Sequence, residues 1–151
     1  MNVMTDPNAA RKAWLGLLAK APARDVAQHW AALDLAAPHQ ILRAPEIGGV
    51  MVRGRAGAIG EAFNLGEITV TRASVKLEDG TVGHGYVQGR DKNHALQAAL
   101  IDALMQTDAA ARVRDGVLTP LKATMTQKKS TRAAKAAATK VDFFTMVRGE
   151  D

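Results

Sequence analysis

Apolar residues with helical spacing predict two helices at the start of the chain. Asp6 and Pro7 are typical of an N-cap followed by proline at the first helical position. Pro22 separates this helix from a second one, which ends before Pro38. The residues on the predicted apolar faces are Ala10, Trp14, Leu17, Leu18 and Ala21 in the first helix, and Val26, Trp30 and Leu33 in the second. We therefore expect a helical hairpin over residues 1–37.

Beyond Pro38 the pattern changes from helical spacing to alternation, which is typical of half-buried strands. Residues 40–43 are predicted to form a short extended segment, which Pro45 interrupts. In residues 49–55, Val50 and Val52 alternate with Met51, Arg53 and Arg55. Residues 67–77 are rich in β-branched side chains and give the clearest strand signal. The region after the helical hairpin is therefore predicted to form a sheet.

Two connections join the predicted strands. Residues 54–60 carry glycine at every third position and precede a strand instead of opening a helix, unlike the dinucleotide-binding glycine motif. We interpret them as a turn, with a loop that approaches a phosphate as the alternative. Asp79 and Gly80 predict a hairpin through a type I′ turn, with residues 81–88 as the returning strand. The expected sheet is antiparallel and has about three to four strands.

A third helix is expected to cover this sheet. Asp91 is its predicted N-cap, and its apolar stripe keeps the helical period through Gln106. The stripe consists of Ala95, Leu96, Ala99, Leu100, Ala103 and Leu104. Gly116 and Pro120 predict a break before residues 121–140, whose alanines and lysines favour a further, basic helix.

The predicted fold class is α+β, in a single domain of 151 residues. Its parts are the helical hairpin over 1–37, the sheet with its covering helix over 38–107, and a basic helix with an apolar tail over 108–151. The chain has no cysteine, which excludes disulfides and thiolate metal sites. It shows neither a signal peptide nor a run of ~18 apolar residues, so we expect a cytoplasmic protein that does not enter a membrane.

The net charge of +5 resides in one segment of the chain. Residues 1–110 contain 11 Lys and Arg and 11 Asp and Glu, whereas residues 111–151 contain 9 and 4. Lys128, Arg132 and Lys135 share one face of the basic helix, a pattern typical of a solvated helix. The alternative is that this helix contacts nucleic-acid phosphates. The basic segment, however, lacks interleaved aromatic residues for base stacking, and the sequence shows no helix-turn-helix or other base-reading motif. Nucleic acid is therefore not the expected partner.

The passage from the last strand into the third helix is the best candidate for an anion site. Arg90 and Lys92 flank Asp91 where exposed amides and the positive end of a helix dipole are expected. The alternative is that Asp91 caps the helix and both cations face water. His84 is a candidate for an exposed, ligand-facing role, because neighbouring glycines leave its ring little lateral cover. The spacing of the four histidines predicts no metal site, and no catalytic group stands out.

Arginines are frequent in and beside the predicted strands. Such side chains can converge on phosphate oxygens with bidentate geometry. Glutamates occur in the same region in equal number, so we expect ion pairs for most of the arginines. The residues concerned are Arg43, Arg53, Arg55 and Arg72, with Glu46, Glu61, Glu67 and Glu78.

The apolar tail is predicted to dock, because large apolar side chains at a terminus are costly to leave in water. The docking candidates are Val141, Phe143, Phe144 and Met146. The surface that receives them is either the chain's own sheet or another subunit.

Three stretches of the sequence resemble the PhnG family, the G subunit of the bacterial carbon-phosphorus lyase complex of phosphonate use. They run from Arg43-Ala44-Pro45-Glu46 through FNLGEITVTRASVKL, then GTVGHGYVQGRDKNHALQAALIDALMQ, and finally VDFFTMVRGE, in the family's order. The likeness is most specific in residues 67–77, in residues 83–91 and in the C-terminal VDFFTMVRG. It is weakest over residues 108–139, which contain the basic helix.

The resemblance implies a subunit of alpha-D-ribose 1-methylphosphonate 5-triphosphate synthase. It implies partnership with the H, I and J subunits of the core and with the ATP-binding-cassette-like K and L proteins. With H, I and L, the chain would exchange the adenine of ATP for methylphosphonate, with ATP and Mg²⁺ bound as substrate by the complex and no cofactor held by this chain alone. No catalytic residue is carried over, so we expect a structural and substrate-positioning role. Phosphate or phosphonate contact by Arg90, Lys92 and His84 is the alternative.

Overall fold

The computed structural model describes residues 6–55, 57 and 60–140. The fold is α+β, as predicted, with a three-stranded antiparallel sheet and helices before and after it. The elements are α1 (Ala9–Lys20), α2 (Ala23–Leu33), β1 (His39–Arg55), β2 (Ala62–Leu77), β3 (Val82–Gln88), α3 (Lys92–Leu104), α4 (Ala110–Val113), a π-helical turn (Arg114–Leu118) and α5 (Thr119–Ala138). The predicted helical hairpin is α1 and α2.

The strands are ordered β1-β2-β3, and both neighbouring pairs are antiparallel. Arg55 pairs with Ala62, so the glycine-spaced stretch connects the two strands of a hairpin. Within the part of the chain that the structure describes, β3 pairs only with residues 70–76 of β2. The remainder of the β1–β2 hairpin is therefore two-stranded, and we call this part, residues 49–55 and 62–69, the arm.

The two predicted strand segments on either side of Pro45 are one strand. The prediction that Pro45 separates them is wrong, because β1 runs through it for 17 residues. The pairing register shifts between Arg43 and Glu46, which places Pro45 in a bulge of an edge strand. A proline is tolerated there because its missing N–H removes no hydrogen bond from the ladder.

The hairpin at Asp79 and Gly80 is confirmed, but its turn type differs from the predicted one. A type I′ turn needs a positive φ at both central residues, and only Gly80 has one, at +90°. The Gly80 N–H donates to the Leu77 carbonyl at 3.0 Å, and the Leu77 N–H donates to the Thr81 carbonyl at 2.8 Å. The connection is thus a three-residue loop that ends in a left-handed glycine.

One face of the sheet packs directly against α3. A Cβ atom at Gly83 or Gly85 would overlap the backbone of α3 at Ala99 and Ala95, so glycine at both positions lets the helix approach the strand closely. The predicted stripe of α3 is buried except for Leu96, which is partly exposed. Small side chains dominate the resulting core, whose largest fully buried members include Leu18, Val26, Val75, Val87, Ile101, Val113, Val117 and Leu121.

The predicted helix break at Gly116 and Pro120 is wrong. Helical structure continues from Ala110 to Ala138, with the π-helical turn between α4 and α5. Pro120 cannot donate the hydrogen bond that the carbonyl four residues earlier would accept, and the wider π turn accommodates this loss. Gly116 lies against α2, since a Cβ atom there would lie 2.7 Å from Leu33 Cδ1.

Candidate functional site

The passage from β3 into α3 has the geometry of a capped helix start. The Gly89 carbonyl accepts a hydrogen bond from the Thr71 hydroxyl at 2.7 Å, and Gly89 has a φ of +96°. Asp91 caps α3 as predicted: its Oδ1 accepts the His94 N–H at 3.0 Å. Arg90 and Lys92 are both exposed on either side of this cap. The Asp91 carboxylate therefore occupies the position at which an anion would meet that amide.

His84 lies away from these two cations. Its side chain is exposed on the sheet face opposite α3, and its Nδ1 lies 2.9 Å from the Ser74 hydroxyl. Its backbone N–H donates to Asp102 near the end of α3, about 15 Å along the helix axis from Lys92. Arg90 and Lys92 thus lie at the start of α3, whereas His84 lies beside the other end of the helix. His84 is exposed, as its candidate ligand-facing role requires, but the glycines beside it allow the close approach of α3.

The most highly connected polar group is one that the sequence analysis missed. Asp102 has 0% exposure, and its carboxylate accepts four hydrogen bonds. The donors are Arg11 Nε at 3.1 Å, an Arg11 terminal nitrogen at 2.8 Å, Trp14 Nε1 at 2.8 Å and the His84 backbone N–H at 2.8 Å. This carboxylate ties α1 and β3 to α3. A charged residue next to the apolar stripe of α3 is the sequence signal that points to it.

The electrostatics of this cluster follow from its hydrogen bonds. Arg11 remains 32% exposed at its side chain while its bidentate partner is fully buried. The hydrogen bond to Asp102 raises the pKa of Arg11 above its ordinary value. The buried carboxylate of Asp102 is therefore paired with a cation, and both of its oxygens accept hydrogen bonds, as a stable buried carboxylate requires.

His94 is a second buried titratable residue, at 3% exposure. Its Nε2 lies 2.9 Å from the Leu18 carbonyl, which links the start of α3 to the end of α1. Burial lowers the pKa of His94 below its ordinary value of 6.5. The imidazole is thus held neutral, and its position favours a packing role.

The predicted pairing of sheet arginines with glutamates is confirmed for two of the four arginines. Arg43 lies 3.1 Å and Arg72 3.3 Å from the same oxygen of Glu46. The hydrogen bond from Arg43, followed by the charge of Arg72, lowers the pKa of Glu46. Arg53 and Arg55, in the arm, have no carboxylate within ion-pair distance among the residues that the structure describes.

The cations of α5 are exposed, as expected for a solvated helix. Several of them line an open groove of about 650 Å³ between the end of α1 and α5, together with Leu17, Pro22 and Met125. The groove-lining cations are Lys20, Lys122, Lys128, Lys129 and Arg132. Lys128 also lies 3.8 Å from Asp25, so part of this charge is balanced within the chain.

Three further expectations concern the limits of the site. The docking candidates Val141, Phe143, Phe144 and Met146 lie outside the described residues. Within residues 6–55, 57 and 60–140, no three His, Asp or Glu side chains are grouped so that they could hold a metal ion. In the same part of the chain, no helix has the length and apolar character needed to cross a membrane.

Comparison with known proteins adds the remaining finding. Residues 9–149 match the family model described as phosphonate metabolism protein PhnG. A relative from Rhizobium meliloti (strain 1021), named alpha-D-ribose 1-methylphosphonate 5-triphosphate synthase subunit PhnG, is 44% identical over 143 residues. The aligned region spans 95% of this chain and 92% of the relative.

Proposed function

Because this chain belongs to the PhnG family of phosphonate metabolism proteins, we propose that it is a subunit of an alpha-D-ribose 1-methylphosphonate 5-triphosphate synthase. The observation that carries the proposal is 44% identity to a named subunit of that synthase across nearly the whole length of both chains. The two chains have almost the same extent, so the likeness covers the subunit and not a shared fragment.

The reaction of the complex defines what such a subunit must help to arrange. An oxygen of methylphosphonate attacks the anomeric carbon of ATP, a new carbon–oxygen bond forms, and the bond to adenine breaks. Adenine leaves with its bonding electrons and takes up a proton, while the transition state carries positive charge on the sugar. Holding the triphosphate and the anionic nucleophile in line is a task for cations and Mg²⁺.

Within this complex we assign the chain a structural and substrate-positioning role beside the H, I and L subunits, with the chemistry on the I subunit. The use of its buried titratable groups supports this role. The Asp102 carboxylate accepts hydrogen bonds from Arg11, Trp14 and the His84 backbone amide. The His94 ring contacts the Leu18 carbonyl. These groups hold the chain's own elements together. The J subunit and the K protein complete the set of expected partners.

Purification of the chain alone and together with the I subunit tests this role. We expect the lone chain to leave the glycosidic bond of ATP intact and the pair to co-elute as a complex. Release of adenine by the lone chain would show that the catalytic groups reside here and would overturn the assignment.

A second role, direct phosphate or phosphonate binding, is favoured by one observation. Arg90 and Lys92 are exposed at the start of α3, and neither has a carboxylate within ion-pair distance in the described part of the chain. His84, the third candidate, is exposed on the sheet face that points away from α3. Loss of turnover in Arg90→Ala with assembly intact would support direct binding. Loss of assembly would give Arg90 a structural role instead.

A further inference from the structure

The arm is an exposed two-stranded ribbon, although it contains many large apolar side chains. All residues from Ala62 to Thr69 are exposed, and this strand alone extends about 25 Å. Leu65 is 62%, Met51 53% and Phe63 45% exposed. A hairpin of two strands is marginally stable in water by itself, and an additional strand or a covering layer normally stabilises it.

Large apolar side chains are exposed on both faces of the sheet. Nine of them are exposed, and residues next to each other in a strand, such as Val50 and Met51, point to opposite faces. A cluster of exposed large apolar side chains marks a candidate interaction surface. The nine residues are Ile41, Leu42, Ile47, Val50, Met51, Phe63, Leu65, Ile68 and Tyr86.

The outer edge of β1 can accept a further strand. In the described part of the chain β1 has β2 as its only neighbour in the sheet. Its residues 47–52 contain no charge and no proline, the features with which proteins usually protect an exposed edge. The opposite edge of the arm is less suitable, because the register shift beside Val52 leaves Leu65 as an extra residue in β2.

The sheet face next to this edge has a small hollow. A space of about 180 Å³ lies over Gly48, bordered by Val50, Val70, Arg72 and Tyr86 among others. A Cβ atom at Gly48 would meet no other atom within 4 Å among the described residues. The packing of this chain therefore does not require glycine there, and the space is large enough for one side chain of a partner.

We propose that residues 47–52 of β1 pair with an extended segment of another subunit of the synthase, which adds a strand to the sheet. This inference rests on the proposed function. The segment is apolar, places one side chain in the hollow over Gly48, and carries a carboxylate that pairs with Arg53 or Arg55. A second copy of this chain is the competing occupant, and the oligomeric state of the lone chain distinguishes the two.

Gly48→Leu tests the proposal, with Gly16→Leu as the matched control. A Cβ atom added at either glycine meets no atom within 4 Å among the described residues, and neither glycine has a positive φ, so both variants should fold. The complex of the full chain with the other synthase subunits is measured by co-purification and affinity. We expect Gly48→Leu to bind at least tenfold more weakly and Gly16→Leu to bind as the natural chain does. Equal binding of all three proteins would overturn the arm proposal and leave the proposed function intact.

Hydrogen exchange of the backbone amides in residues 47–52 completes the test. In the complex of the natural chain, the amides that face outward from β1 should exchange at least tenfold more slowly than in the lone chain. Protection already present in the lone monomer would show that a segment of the same chain covers the edge, and a dimer that Gly48→Leu dissociates would identify a second copy. Either result would overturn the proposal. A natural chain that does not bind the other subunits would overturn the proposed function itself.

Discussion

At the scale of residues, the Asp102 cluster shows how one buried carboxylate organises this fold. The side chain is fully buried, yet Arg11, Trp14 and the His84 amide fill its oxygens. The same four groups belong to α1, α3 and β3, so the cluster fixes the N-terminal helix against the edge of the sheet. Removal of one partner leaves the remaining charge without compensation.

Arg11→Met should destabilise the chain by about 3 kcal/mol, because it leaves the carboxylate of Asp102 buried without its cation. Asp102→Asn should cost less, about 1–2 kcal/mol, since the partly exposed Arg11 can then be hydrated. Urea unfolding of both variants measures the difference. A loss below about 1 kcal/mol in Arg11→Met would contradict a stabilising role of this ion pair.

His94 should make the stability depend on pH. Burial lowers its pKa in the folded state, so the unfolded chain binds the proton at a higher pH. The free energy of unfolding should therefore be highest above pH 6.5, the ordinary pKa, and should decrease as the pH falls toward the lowered value. Urea unfolding midpoints, measured at intervals of ~0.5 pH unit from about pH 7.5 down to about pH 5.5, give the change of stability with pH. His94→Gln should remove this part of the decline, and an unchanged slope would show that another group causes it.

The residue scale also shows where sequence analysis is limited. The cap at Asp91 was predictable, because a capping residue acts on amides a few positions away in the chain. Asp102 was not, since its partners Arg11 and Trp14 lie about 90 positions away and become neighbours only in the folded chain. The candidate group of Arg90, Lys92 and His84 was separated because extended backbone runs from His84 to the end of β3 at Gln88, about 13 Å, before the chain reaches Arg90.

At the scale of elements, close contact between β3 and α3 is the central packing feature. Gly83 and Gly85 point toward the helix, whose alanines leave room for the strand. The type and order of the helices and strands could be predicted from the spacing of apolar residues. The continuity of β1 past Pro45 and of the helix past Pro120 could not. A bulge at Pro45 and a π-helical turn before Pro120 accommodate the missing proline N–H, so neither element ends there.

Gly85→Ala should therefore destabilise the chain by about 3 kcal/mol, since its Cβ would overlap the backbone of α3 at Ala95. Gly48→Ala is the matched control on the same sheet: its Cβ would enter open space, so we expect a change within about 0.5 kcal/mol. Thermal and urea unfolding report both values. Similar stabilities for the two variants would show that α3 can move away from β3 without cost.

At the scale of the whole molecule, charge and exposed apolar surface lie in different places. The cations of α5 line a groove on the helical side, whereas the exposed apolar side chains belong to the sheet and are concentrated on β1 and β2. Among the described residues, Gln97 Oε1 is the only buried side-chain nitrogen or oxygen without a hydrogen-bond partner, and large apolar side chains of the arm face outward. Such a distribution is expected of a subunit whose sheet is completed by a partner.

Turnover of the reconstituted synthase tests the central claim most directly. The other subunits, with ATP, Mg²⁺ and methylphosphonate, are assayed for adenine release in the presence and absence of this chain, and the chain is assayed alone. We predict adenine release only when the chain is present together with its partners. Full activity without the chain, or adenine release by the chain alone, would contradict its assignment as a structural and positioning subunit.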